Sequence, residues 1–332
     1  MKFPRMRQVP VAAVSMAAAA ILLAACSSSS SSTAATSPSG SSSPSGGAAA
    51  GTSIVVGALP VLDTAGLQVA LKEGFFKQAG LNVTVKSVTQ STVAIPDLLH
   101  GSIDVIGGGN YVSFLEAQAH GTFPVEFLAP AVDCSTNNYG VVAMPSSGIS
   151  KPAGLAGKTI AVNLTENIQT LTTDAVLKSM GVGAVHYVQI PFPDMVSALK
   201  AGRVNAISAV EPFLSKALAA GGTLVTSTCT GPTADFPMSG YITTQSWAQQ
   251  HAAAARAFQQ ALEKGNAYAN AHPDVVRSLL PTYTSMTAAA AATVPLGTYP
   301  STLTTTPLQR IATLMKGGGL SAPSDLSPLL FS

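Results

Sequence analysis

The chain has 332 residues, of which 47% are hydrophobic and only 10% charged, and its formal net charge is +2. Lys2, Arg5 and Arg7 fall within the first seven residues; taking these three from the 17 basic residues leaves 14 against 15 acidic ones. The body of the chain therefore has no basic run, and nucleic acid is not an expected partner. Its length is ample for a large core or for two lobes.

The basic start is followed by an Ala-rich apolar run, Val9–Leu22, and then by Leu23-Ala24-Ala25-Cys26. The run is too short on strongly apolar residues to span a bilayer comfortably. The small residues before Cys26 resemble the lipobox of bacterial lipoproteins. That resemblance implies that residues 1–26 are a signal peptide, that the Cys26 thiol is acylated, and that the mature chain is moored outside the membrane. Residues 27–52 are nearly all Ser, Gly, Ala, Thr and Pro, which bury too little apolar surface to order themselves. As a coil they span on the order of 25–30 Å, enough to hold a domain clear of lipid.

The remainder reads as alternating strands and helices, in two copies. In the first copy these are Ile54–Ala58, Gly66–Gln78, Leu81–Val88, Thr92–His100, Ile103–Gly107 and Tyr111–His120. In the second they are Thr159–Asn163, Glu166–Met180, His186–Ile190, Asp194–Ala201, Asn205–Ala209 and Pro212–Ala220. Leu98, Gly101 and Ile106 fall on Leu199, Gly202 and Ile207, and Asp104 falls on Asn205. Strands alternating with helices predict parallel sheets wound right-handedly. Pro96 sits awkwardly inside the second helix unless it marks the first turn. Val125–Ala131 and Thr223–Ser227 read as further strands. Tyr139–Met144 and Ser239–Thr244 read as two crossings between lobes. Helices are expected over Trp247–Asn270, Pro273–Leu280 and Thr306–Lys316, packed back on the first lobe. The lobes so defined are 53–142 with 240–332, and 143–239.

Cys134 and Cys229 are the other cysteines; outside the membrane they pair, or else stay as two separate buried thiols. The five histidines show no ligand spacing, so neither a metal nor a cofactor is expected. No phosphate-binding Gly-x4-Gly-Lys-Ser/Thr loop and no Gly-x-Ser-x-Gly elbow occurs. Gly107-Gly108-Gly109 lacks dinucleotide spacing and reads as a place of close backbone approach.

Several motifs together resemble ABC-transporter substrate-binding proteins of the nitrate/sulfonate/taurine and thiamine-pyrimidine-precursor type. They are Asp63-Thr64-Ala65-Gly66-Leu67, Glu73-Gly74-Phe75-Phe76, Gly101-Ser102-Ile103-Asp104, Ala198 to Ala206, Glu211-Pro212-Phe213-Leu214 and Arg256 to Leu262. Asn205 stands where an Asp is usual. The resemblance covers about residues 53–280. It implies a two-lobe, type II periplasmic-binding-protein-like α/β fold with a hinge of two crossings and a ligand between the lobes. An ABC permease is the implied membrane partner, and a monomer is expected.

Parallel α/β sheets hold ligands beyond the carboxyl ends of their strands, at helix N-termini. That rule selects Asp63, Thr64, Gln90, Ser91, Asn110 and Tyr111 in the first lobe. In the second it selects Asn163, Thr165, Glu166, Phe192, Glu211 and Phe213, with Tyr139 and Asp133 near a crossing. Asn110 and Glu211, equivalent in the repeat, are expected to face each other. Thr64, Ser91, Thr165 and Asp194 equally suit helix capping, Glu211 the helix dipole, and the aromatics a core. These loops hold carboxylates and amides but no Lys or Arg. They favour a neutral or cationic small organic ligand held by Asp63 or Glu211 beside an aromatic face. A lipid-anchored receptor delivering a solute to an ABC importer is the leading expectation. A sensor or adhesin of the same fold, or an extracytoplasmic enzyme using paired acids, is the alternative.

Overall fold

The structure, a computed structural model, describes residues 51–332. The expected leader, Cys26 and almost all of the 27–52 linker lie outside the described residues; Thr52 already belongs to a strand.

The first half runs β1 (Thr52–Ala58), α1 (Ala65–Lys72), α2 (Phe75–Gln78), β2 (Leu81–Ser87), α3 (Ile95–Leu99), β3 (Val105–Asn110), α4 (Tyr111–Ala119) and β4 (Val125–Asp133). The single helix expected over 66–78 is divided at Gly74, whose φ of 73° is left-handed; a side chain there would be strained. Pro96 lies in the first turn of α3, where its missing N–H has no intrahelical partner to lose. The second half runs β5 (Tyr139–Ala143), β6 (Thr159–Val162), α5 (Ile168–Ser179), β7 (His186–Gln189), α6 (Phe192–Lys200), β8 (Ala206–Val210), α7 (Phe213–Ala219) and β9 (Thr223–Ser227). Then come β10 (Pro237–Thr244), α8 (Gln245–Gln250), α9 (Ala252–Ala271), α10 (Pro273–Tyr283), α11 (Ala288–Thr293) and α12 (Thr305–Gly317).

These strands make two five-stranded sheets, ordered β2-β1-β3-β10-β4 and β7-β6-β8-β5-β9. Within each, the three strands of the repeat are parallel, β1 to β2 and β3, β6 to β7 and β8. The fourth strand is antiparallel to both its neighbours. It occupies the same place in each sheet but comes from opposite ends of the repeat: β5 precedes β6, whereas β10 follows β9. The two extended runs read as crossings are thus strands. The chain passes between sheets just before them, over 134–138 and 228–236.

Cys134 and Cys229, one on each crossing, are disulfide-bonded with their Cα atoms 5.9 Å apart. The Cys134 N–H also donates to Phe236 O at 2.9 Å. The C-terminal segment holds the same place. Asp133 and Thr298 exchange backbone hydrogen bonds of 2.8 and 3.0 Å, and Ser135 Oγ donates to Leu296 O at 2.6 Å. The Arg310 guanidinium on α12 donates to the carbonyls of Pro232, Ala234 and Asp235 and lies 5.0 Å above the Phe236 ring. The tail therefore fastens both crossings as well as covering the first sheet.

The repeated Asp104/Asn205 position has a structural role. The Val55 N–H donates to Asp104 Oδ2 at 2.7 Å, and the Asp104 N–H returns a bond to Val55 O at 2.8 Å. In the other half the Thr159 N–H donates to Asn205 Oδ1 at 2.9 Å, and the Asn205 N–H to Thr159 O at 3.0 Å. Only an acceptor oxygen is required, so the amide serves. Asp104 has a second duty that Asn205 lacks: its Oδ1 accepts from Trp247 Nε1 at 3.0 Å, which ties α8 to the first sheet.

Helix α9 crosses α1 closely at Gly66 and Gly265. A Cβ on Gly66 would overlap the Asn266 side chain, and one on Gly265 would meet Gly66 O at 2.5 Å. Asn266 is buried and donates to Pro130 O and Pro300 O at 3.0 and 2.7 Å, so it has little room to move away.

Candidate functional site

Strand β3 and helix α4 meet at Asn110, and the strand is buried throughout. Asn110 is extended and its Oδ1 accepts from the Ser113 N–H at 2.9 Å, which caps α4; its Nδ2 donates to Ser91 Oγ at 3.4 Å. In the second half Asn167 does the same for α5. Its Oδ1 accepts from the N–H groups of Gln169 and Thr170, and Thr170 Oγ1 completes a capping box by accepting from the Asn167 N–H. The α5 start lies one residue beyond the cap, so the helix begins two residues later than the expected Glu166.

Both capped ends line a pocket of about 40 Å³. One wall is Leu59, Val61, Asp63, Ser91, Gly108 and Asn110, with Met238 of β10; the other is Tyr139, Asn163, Asn167, Ile168, Gln169, Phe192 and Val210. Gly108 keeps its wall thin: its φ is 72°, and a Cβ added there would come within 3.0 Å of Thr64 Cγ2. Phe192 is backed by Phe213, stacked at 5.1 Å and 7°.

Three hydrogen bonds draw the walls together. Gln90 Nε2 donates to Asn163 O at 2.7 Å. Tyr139 OH donates to Asp63 Oδ1 at 2.6 Å. The Leu62 N–H donates to Glu211 O at 3.1 Å. Asp63 Oδ2 also accepts from Ser239 Oγ at 2.6 Å. Burial raises the Asp63 pKa above the usual carboxylate value, against the lowering pull of these two hydroxyls.

Asp63, Ser91, Asn110, Tyr139, Asn163 and Phe192 thus stand together around one pocket. Glu211 does not face Asn110 across it. Its carboxylate turns back on its own helix, accepting from the Ser215 N–H at 3.2 Å and Ser215 Oγ at 2.9 Å, and burial pushes it up to about 7. Phe213 lies behind Phe192 rather than on the surface of the pocket. Tyr111 is core, edge-on to Phe127 at 5.3 Å. Thr64 spends its hydroxyl on Leu59 O and Val61 O, both at 3.1 Å, and caps no helix. Gln90 takes part through its latch on Asn163. Asp133 is held by Thr298, as above. Thr165 and Glu166 line a separate open groove of about 580 Å³ between α5 and the end of α12.

The pocket also uses residues that the strand-end rule passed over: Gln169, Ile168, Gly108, Val210 and Met238. Gln169 is fully engaged, its Oε1 accepting from the Asn163 N–H at 2.8 Å and its Nε2 donating to Ser208 O at 2.6 Å. Asn167 carried a readable signal, since Asn before an apolar residue is a preferred helix N-cap. Met238 carried none, because it reaches the pocket on the strand that returns from the second sheet. Asn163 Oδ1 is buried with no hydrogen-bond partner, in a residue only 5% exposed. Among the described residues no cluster of His, Cys, Asp or Glu suited to a metal occurs.

Solved structures similar in fold include three binding proteins. The ligand-binding component of an ABC-type import system from Staphylococcus aureus, with zinc bound, has 16% identity and a TM-score of 0.73, covering 84% of this chain and 96% of that one. The alkanesulfonate-binding protein SsuA from Xanthomonas axonopodis, bound to MOPS, has 17% identity and a TM-score of 0.70, covering 85% and 99%. The nitrate-binding protein NrtA from Synechocystis has 15% identity and a TM-score of 0.62, covering 72% and 68%. The fold is shared with an enzyme as well, the desulfurization enzyme DSZB (18% identity, TM-score 0.63). No curated protein sequence matches the chain. The family model described as NMT1/THI5 like matches residues 62–275, and the chain belongs to that family.

Proposed function

We propose that the chain is an extracytoplasmic solute receptor of an ABC importer, moored by lipid on Cys26. It captures a small organic molecule between its two lobes and presents it to a permease in the membrane. The observation that supports this reading is the pocket lined by residues from the segments of both sheets, with a capped helix start on each side and three hydrogen bonds across it. A solute touching both walls favours the closed arrangement, and closure about the 134–138 and 228–236 crossings is the state a permease would recognise. The similar structures, a sulfonate-binding protein, a nitrate-binding protein and an import-system binding component, support the receptor role. They do not agree on a ligand.

The lining favours binding over turnover. Asp63 is its only carboxylate, both its oxygens are engaged, and no Lys, His or Cys stands beside it. Paired-acid chemistry needs Glu211 in the pocket, and its carboxylate is turned away. A receptor of this kind needs no cofactor and works as a monomer.

Native mass spectrometry of gently purified protein tests the proposal. A retained small molecule, released on unfolding and unchanged in mass after incubation, is the expected result. Release of a chemically altered product would replace the receptor with an enzyme. Membrane fractionation tests the anchor: Cys26→Ser is expected to move the protein from the membrane to the soluble fraction.

A further inference from the structure

Three hydrogen bonds join the two halves, and the sheet order places them at different distances from the hinge. The chain leaves the first sheet at β4 and returns to it at β10. Tyr139, which bonds Asp63, is the first residue of β5 and follows the 134–138 crossing directly. Leu62 and Glu211 follow β1 and β8, both interior strands of their sheets. Gln90 follows β2, the edge strand three places from β10 and four from β4. At about 4.8 Å per strand, that is roughly 14–19 Å from the hinge strands. The Gln90 bond to Asn163 O is therefore the one at the mouth of the cleft. A rotation of about 5° moves a point ~16 Å from its axis by about 1.4 Å, which carries a short bond past hydrogen-bond range.

Both ends of this bond are held in place. Gln90 is 6% exposed, and its Nε2 donates to Asn163 O at 2.7 Å. Asn163 is fixed from behind: its N–H donates to Gln169 Oε1 at 2.8 Å, and Gln169 Nε2 donates to Ser208 O at 2.6 Å. Ser208 Oγ in turn lies 3.2 Å from Thr173 Oγ1 of α5. Asn163 and Gln169 line the pocket, whereas Gln90 is not among its lining side chains. A solute against that wall meets the residue that carries the acceptor without meeting the donor.

We propose, resting on the receptor reading above, that Gln90 is a positioning residue that latches the mouth of the cleft. It sets how long the lobes stay closed without touching the solute. On opening, the Gln90 amide and the Asn163 carbonyl both return to water, so the latch shifts the balance of open and closed forms by about two- to tenfold.

The test needs no solute. Spin labels on Val85→Cys and Val188→Cys lie on the far edge strands β2 and β7. With Cys26→Ser, they report opening by pulsed electron resonance in protein stripped of small molecules. Gln90→Ala is expected to raise the open-to-closed ratio about two- to tenfold. Gln90→Glu separates a latch from a packing role. At about pH 7 its carboxylate sets an acceptor against the Asn163 carbonyl, and the ratio is expected to rise at least as far. At about pH 4 the protonated acid donates again, and the ratio is expected to return towards that of the parent. The parent at both pH values accounts for titration of Asp63 and Glu211. Tyr139→Phe removes the bond beside the crossing and is expected to shift the ratio less than Gln90→Ala does. An unchanged distribution in Gln90→Ala overturns the inference. So does a Gln90→Glu variant that recovers no closure in acid beyond the parent's own change, or a Tyr139→Phe effect as large as that of Gln90→Ala. None of these results touches the receptor reading, which falls on the mass-spectrometric test of a retained solute.

Discussion

Removing the disulfide by Cys134→Ser with Cys229→Ser is the sharpest perturbation of the hinge. The two cysteines are 95 residues apart in sequence, so the bond closes a loop containing the whole second sheet. Loop-closure entropy for that length gives a stabilisation of about 4–5 kcal/mol through the unfolded chain. The folded hinge itself is expected to keep its course. The Cys134 N–H bond to Phe236 O, the Asp133–Thr298 pair and the Arg310 clamp on the return crossing do not depend on sulfur. Urea unfolding of oxidised parent and double variant, followed by circular dichroism, measures the difference. The expected result is a lower midpoint with unchanged native spectrum and a loss of several kcal/mol. A difference under about 1 kcal/mol would refute the loop-entropy reasoning. A count of two free thiols in the unreduced parent with Cys26→Ser would refute the bond.

Glu211 predicts a pH dependence. Burial holds its folded pKa at about 7 against an ordinary value of 4.5. Between those values the folded chain keeps a proton that the unfolded chain has lost. The associated stability is therefore full below about 4.5 and declines as pH rises through about 7, by on the order of 3 kcal/mol. Glu211→Gln is expected to flatten that decline in urea unfolding at pH 5 and pH 8; parallel behaviour of variant and parent would contradict it. Asp63→Asn replaces one acceptor oxygen by a donor, leaving Tyr139 or Ser239 without its partner, and is expected to cost about 1–3 kcal/mol by the same assay. Gly66→Ala is expected to destabilise by about 1–3 kcal/mol, because the added methyl overlaps a tethered Asn266; an unchanged melting curve would show that α1 and α9 separate easily.

Local signals made much of the fold legible. The 101-residue offset between Gly101-Ser102-Ile103-Asp104 and Gly202-Arg203-Val204-Asn205 identified paired units, and the structure shows why Asp and Asn exchange there: both supply the oxygen that ties β1 or β6 to the segment leading into its neighbour. Tyr139–Met144 and Ser239–Thr244 were harder. An extended run has the same pattern whether it bridges two sheets or completes one, and only pairing across about a hundred residues decides it. Gly74 and His251 interrupt helices that the apolar spacing continues through.

At the site, the strand-end rule selected loops that border this pocket but not which side chains line it. Glu211 obeys the rule, yet Ser215 lies one turn along α7 and captures its carboxylate. Thr165 and Glu166 precede the α5 cap and line another groove. Asn163 looks from sequence like any polar residue after a strand. Only the fold shows that Gln90 and Gln169 hold its backbone groups.

Whether two lobes close on a solute is decided most directly by a distance between them. Spin labels on Val85→Cys and Val188→Cys, on β2 and β7 and each 37% exposed, report that distance by pulsed electron resonance, with Cys26→Ser to silence that thiol. A broader, longer distribution is expected after the protein is stripped of small molecules by unfolding, dialysis and refolding, with a return to the short distance when the recovered solute is added back. One unchanged distance in all three samples would contradict closure.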